Sequence, residues 1–196
     1  MTQTLSDVLH SWLEDGTRHV TPFVRVTDGD ITLTAGENHV GGVHTSDILV
    51  DTILSTDTAV YASGDVLADQ QTIINALRLS GGRAILQSVV LTDKDDQAGA
   101  LDLVFLASGM SIGIENAAAA VTGTILGRVL GIVEVVSGDY VDVGGAQVVT
   151  KGYEDLGFVV TGNQWNKDVY VAAISRDTKT YTADGLELRT GFTLRS

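Results

Sequence analysis

The chain has 196 residues, no cysteine, a formal net charge of −13 and a sequence pI near 4.4. A disulfide framework and a thiolate metal site are therefore excluded, and the scarcity of cations argues against a nucleic-acid partner, whose phosphates are bound mainly by Lys and Arg. Only 19% of residues are charged against 44% hydrophobic, and mean hydropathy is +0.20, an apolar surplus that points to surface buried between subunits.

The first element expected is a short amphipathic helix. Leu5, Val8, Leu9, Trp12 and Leu13 share one face at helical spacing, Thr4 and Asp7 are placed as a capping box, and Gly16 stands as a stop. A helix of about 10 residues is marginal in water, so this face rests either on its own domain or on a neighbouring subunit. These five residues are the candidate contact to another subunit. The opening lacks the basic start and apolar core of a signal peptide, and the most apolar stretch is interrupted by Glu115, Arg128 and Glu134; neither standard secretion nor a membrane span is expected.

From Thr21 the texture turns to short β-type runs: FVRVT, DITLT, DILVDTIL and TAVY, then Ile85 to Leu91, Leu101 to Leu106, Ile132 to Val136, Gln147 to Thr150, Phe158 to Thr161 and Val169 to Ile174. Turn residues punctuate them as in an all-β sandwich or barrel. Ala117 to Val129 reads either way, as a loop followed by a helical turn. At the end, Asp184-Gly185 marks a hairpin turn, after which Leu186, Leu188, Phe192 and Leu194 fall on one face and Glu187, Arg189, Thr193 and Arg195 on the other. The boundary is expected near Thr56, with an arm over 1–56 and a β-sandwich over 57–196.

Chemistry is sparse along this chain. Ser63 and Ser108 lack the preceding glycine of a nucleophile elbow, and Gly41-Gly42, Gly81-Gly82 and Gly144-Gly145 are isolated pairs without a phosphate-loop lysine. His39 and His44, with Glu37 nearby, offer nitrogen and oxygen donors but match no common metal spacing, and His10 and His19 have no evident partners. The loop Asp93-Lys94-Asp95-Asp96-Gln97 has carboxylates at alternate positions, yet Ala98 stands where an EF-hand needs glycine and no glutamate closes the pattern, so it reads as a solvated turn. Carboxylate pairs of the glycosidase kind are invisible to sequence, but the available sugar platforms, Trp12 and Trp165, adjoin no acid cluster. No catalytic residue, metal ligand or cofactor is expected.

Taken together, YASGDVLAD from Tyr61, GGRAILQSVVLTDKDDQAGALDLVFL from Gly81, the central LGIVEV and the closing YVAAISRDTKTYTADGLELRTGF resemble small structural proteins of tailed bacteriophages. The resemblance covers Tyr61 onward and leaves the first 56 residues without a counterpart. It implies a jelly-roll-like antiparallel β-sandwich acting as a cement or decoration protein on the phage head, bound to the major capsid protein and to itself, as a trimer. On that reading Leu5, Val8, Leu9, Trp12 and Leu13 are the candidate contact to another subunit or to the capsid. The residues independently describe an acidic, apolar β chain suited to adhering to a repeating lattice and to avoiding the packaged genome or a membrane. Two competing readings are a tail-tip or head-fibre receptor-binding module, against which 6% aromatic content argues, and a polysaccharide-degrading enzyme.

Overall fold

The β-type runs become ten strands among residues 47–194, the part of the chain that the structure, a computed structural model, describes. In chain order these are β1 (Asp47–Leu54), β2 (Val66–Ile73), β3 (Arg83–Asp93), β4 (Leu101–Leu106), a single helical turn α1 (Gly123–Leu126), β5 (Val129–Val135), β6 (Val141–Asp142), β7 (Gln147–Lys151), β8 (Val159–Thr161), β9 (Val169–Ser175) and β10 (Leu186–Leu194). The expected helix at Leu5 to Leu13 and the runs FVRVT and DITLT lie outside the described residues.

Strand pairing is nested. β1 pairs with β10, β2 with β9, β3 with both β7 and β8, and β4 with β5, every pair antiparallel. A long hairpin folded at β4–β5 and rolled on itself yields this order, and the roll splits it into two sheets: β1-β10-β3-β7-β6, with β8 also on β3, and β2-β9-β4-β5. That is the strand order of a jelly roll, two Greek keys closed face to face. The protein is an all-β antiparallel sandwich.

Alternation places the inner faces. Leu186, Leu188 and Phe192 of β10 and Leu101, Leu103 and Phe105 of β4 are fully buried in one inter-sheet core, while Glu187, Arg189 and Thr193 turn outward, as their period of two requires. Phe158, just before β8, closes this core edge-on against Phe105 at 5.7 Å, and its ring lies where a Cβ on Gly131 would stand.

The four-stranded sheet has a second cover. Val104, Leu106, Ala172 and Ile174 point away from the main core, yet all are buried, packed with Ile112 and Ile125 of the connection 107–128. This strap explains why LDLVFL and VYVAAIS read as nearly continuous apolar runs: strands covered on both faces have no wet side to alternate with. It also occupies the outer edge of β2, where Val66 N–H donates to Ala117 O (2.8 Å) and Asn116 and Ala119 N–H donate to Val66 O (2.9 Å) and Gly64 O (3.0 Å). A covered edge cannot recruit a stray strand.

Three sequence expectations change. Asp184-Gly185 is a turn, with Gly185 N–H donating to Thr182 O at 3.0 Å, but it joins no hairpin; it carries the chain from β9 in one sheet to β10 in the other, where the partners are β1 and β3. TAVY contributes a lone bridge from Val60 to Thr180 in place of a strand, because Tyr61 turns into the core. Asp47–Leu54, on the arm side of Thr56 in the sequence reading, pairs along its whole length with β10 and buries Leu54 completely. Ala117 to Val129 is, as one of its readings has it, a loop followed by the turn α1.

Leu54→Ala is expected to destabilise the protein by about 2–5 kcal/mol, whereas Ile53→Ala, one residue away on the exposed face, should stay within about 0.5 kcal/mol. Urea unfolding of the two variants checks the assignment of β1 to the sandwich.

Candidate functional site

Loops cluster at the two ends of the strands. At one end lie the β1–β2, β3–β4 and β9–β10 connections and the β6–β7 turn; at the other lie the β2–β3 and β8–β9 connections and the start of β5. The segments that carry the phage resemblance meet at the first end. Tyr61 N–H donates to Lys179 O at 2.9 Å, Thr182 N–H to an Asp95 carboxylate oxygen at 2.7 Å, and Gln147 Nε2 to Asp96 Oδ1 at 2.7 Å.

The Asp93 loop is a structural joint, which corrects its reading as a solvated turn. Asp93 is fully buried, and its carboxylate accepts N–H bonds from Asp95 (3.0 Å), Gln97 (2.8 Å) and Ala98 (2.8 Å). Three converging N–H donors satisfy the oxygens of this buried side chain, which is what lets it sit away from water. Asp95 does the same job between loops, taking both the N–H and the hydroxyl of Thr182. Gly185 is required here, because a Cβ would collide with the Asp95 carboxylate. Asp65 closes the YASGD turn by accepting Ala62 N–H at 2.7 Å, with Gly64 at φ 98° between them.

Three tyrosines lie beneath these loops, none of them singled out as a site residue by sequence reasoning. Tyr61 and Tyr181 pack with ring centroids 6.3 Å apart; Tyr61 Oη accepts Asp57 N–H (2.5 Å) and donates to Leu67 O (3.1 Å), while Tyr140 Oη donates to Gly99 O (2.8 Å). Burial pushes Tyr61 up to about 12, and raises Tyr140 and Tyr181 further, with nearby Asp93 adding to both. All three stay protonated at ordinary pH and supply no phenolate; Tyr61 and Tyr140 serve as hydrogen-bonding wedges, and Tyr181 packs against Tyr61. At Gly99 a Cβ would strike the Tyr181 hydroxyl, so this glycine is fixed by space.

Charge divides between the ends. Near the acidic end the bases are paired: Lys94 with Glu187 (3.1 Å), Lys151 with Asp139 (2.7 Å), Arg176 with Asp102 (2.5 Å) and Lys179 with Asp177 (3.8 Å). The Lys151 hydrogen bond, helped by Val136 N–H, holds Asp139 below the usual carboxylate value. On β1 and β10, Arg189 does likewise for Asp51 (2.6 Å). By contrast Arg78, Arg83, Arg128 and Lys167, all at the opposite end, form no ion pair with another described residue.

The candidate contact Leu5, Val8, Leu9, Trp12 and Leu13, and the histidine pair His39 and His44, lie outside the described residues. Among the described residues no three His, Asp or Glu side chains are grouped to hold a metal ion, and no helix is long and apolar enough to cross a membrane. What the described surface offers instead is exposed apolar side chains, Trp165 (82%), Ile114 (81%) and Leu49 (70%) foremost.

No protein-family model matches the chain, and no curated protein matches it. Among solved structures it is similar to one from infectious bursal disease virus, Gx strain, at 8% identity over 77% of this chain and 33% of that one, with a TM-score of 0.30. It is also similar to Desmodium yellow mottle tymovirus, at 10% identity, 92% and 95% coverage and a TM-score of 0.27. A third is the native virion of Kashmir bee virus at neutral pH, at 14% identity, 89% and 80% coverage and a TM-score of 0.26. The chain spans about a third of the first of these. At such scores the assignment of fold rests on the strand order alone.

Asp93→Ala, which strands three part-buried donors, should cost about 1–3 kcal/mol in urea unfolding, and Asp93→Asn, which keeps one acceptor oxygen, less. Glu115 gives a pH test. Burial, then Asp57 and Asp69 nearby, raises its carboxyl above the ordinary value of 4.5 against the pull of Asp69 N–H. The folded chain thus favours the proton, so this group's contribution is greatest below that value and is lost as pH rises through the raised one. Glu115→Gln is expected to raise the melting temperature at pH 7, with the gain shrinking at pH 4; a lower melting temperature at pH 7 contradicts this.

Proposed function

We propose that the protein is a virion structural component of a tailed bacteriophage, a cement or decoration protein of the head and not an enzyme. The observation that carries this reading is a rigid jelly roll that displays large apolar side chains on its loops and outer faces, Trp165, Ile114 and Leu49 among them, where a lattice neighbour would cover them. Jelly rolls serve in viral capsids and lectins alike, so the fold permits the role without assigning it. The motifs behind the phage resemblance support it, since they are the joints that build one loop end. A net charge of −13 suits a surface that stays clear of the packaged genome.

In this reading the protein sits on the capsid surface, bound to the major capsid protein and to itself as a homotrimer. Residues N-terminal to β1 form the arm, and Leu5, Val8, Leu9, Trp12 and Leu13 make the contact. Burying each large apolar side chain would contribute about 1.5–3 kcal/mol before ordering costs. A second reading, a tail-tip or head-fibre receptor-binding module, is favoured by Trp165 and Tyr153, aromatics exposed by 82% and 60% on loops.

Labelled antibody on purified virions tests the proposal. Decoration of heads is expected, decoration of tails supports the second reading, and absence from the particle overturns both. Sedimentation of the isolated protein should return about three times 20.6 kDa; a monomer there contradicts the trimer.

A further inference from the structure

The end of the sandwich formed by the β2–β3 and β8–β9 loops is built to be covered. Leu77 N–H donates to Lys167 O (2.9 Å), Gly81 N–H to Asn166 O (3.2 Å), Gly162 N–H to Gly82 O (3.2 Å) and Asn75 N–H to Asp168 Oδ1 (2.9 Å), so the two loops are one stapled unit. Within it Asn163 Oδ1 accepts the N–H groups of both Trp165 (2.8 Å) and Asn166 (3.2 Å), fixing the backbone that holds the indole out. Trp165, Leu79 and Ile74 are exposed by 82%, 65% and 62%. An aromatic held in water by an ordered loop loses no further backbone freedom when a partner covers it, which is the property of an interface anchor.

Charge names the partner. Arg78, Arg83, Arg128 and Lys167 stand at this end without an ion pair to any described residue, whereas the five other described bases are paired. Asp168 is the one acid on the two stapled loops, and its Oδ1 accepts Asn75 N–H. The complementary surface is at the other end of the same molecule. There Asp57, Asp96, Asp142 and Asp184 are exposed, beside Val60, Val141 and Val143 at 61%, 64% and 62% exposure.

We propose that the basic, Trp165-bearing end of one molecule seats on the acidic loop end of a second copy, so that copies associate head to tail. The contact is heterologous, each molecule giving one surface and receiving on the other, and so it propagates as a ring or a row. A sandwich end four strands wide and two sheets deep presents on the order of several hundred Å² per copy, the size of a weak interface, suited to a lattice that already holds neighbours close. This rests on the homo-oligomer reading above and adds to its N-terminal contact a second one, made by the two ends of the sandwich.

Sedimentation equilibrium of the full chain at micromolar to tens of micromolar concentration, with circular dichroism as the folding control, decides it. Trp165→Ala and the pair Arg78→Glu with Arg83→Glu should each weaken self-association at least tenfold with an unchanged β spectrum. Asp57→Lys with Asp142→Lys should do the same from the opposite surface. Mixing the two charge-reversed proteins should restore association, because each reversed end then meets a complementary one. If wild type associates and the variants associate equally well, the head-to-tail contact is wrong while the homo-oligomer reading survives. A wild type that stays monomeric throughout overturns both, and failure of the mixture to recover when both variants remain folded also overturns the contact.

Discussion

Burial of two strands on both faces is the constraint that organises this molecule. β4 and β9 lie at the centre of the four-stranded sheet, with Leu103, Phe105, Val171 and Ala173 turned into the sandwich and Val104, Leu106, Ala172 and Ile174 turned out. A sandwich of two sheets covers only the first set. The connection from β4 to β5 therefore cannot be a short turn; it runs from 107 to 128, lays Ile112 and Ile125 over the outer face, and zips onto the edge of β2. One apolar requirement thus fixes a loop length, a second core and the protection of a sheet edge.

Acidity here is largely architectural. Asp65, Asp93, Asp95 and Asp139 each accept backbone N–H bonds at turns, and Asp93 does so in full burial. Short carboxylates can satisfy the N–H groups that tight turns leave unpaired, which is why Asp is favoured there. The cations are fewer, and at the acidic end each is drawn to a carboxylate. Among the described residues the bases left over gather at the other end, so the sandwich is polar in charge along its strands although the net charge of the chain is strongly negative.

Much of the fold was legible because alternation is a local signal. β4 falls on the expected Leu101 to Leu106, and the inward set Leu186, Leu188, Phe192 and Leu194 is buried as its spacing requires. β2 was not legible: Gln70 and Gln71 interrupt its apolar pattern, and its register with β9 shifts twice. The Asp-Gly turn was visible but its partners were not, since a turn dipeptide says nothing about which sheet receives the next strand. The loop carboxylates looked solvated because burial of an Asp depends on N–H donors that only the folded turn brings together. The basic end was hidden for a similar reason, its residues spread from Arg78 to Lys167 and gathered by topology alone.

Native-state amide hydrogen exchange tests the central role of two-sided burial most directly. The account predicts that amides of β4 and β9 exchange only through global unfolding, while the strap amides of Asn116, Ala119 and Ala120 open at lower free energy. If β4 and β9 exchange no more slowly than the edge strand β1, the doubly covered sheet is not what holds this fold together.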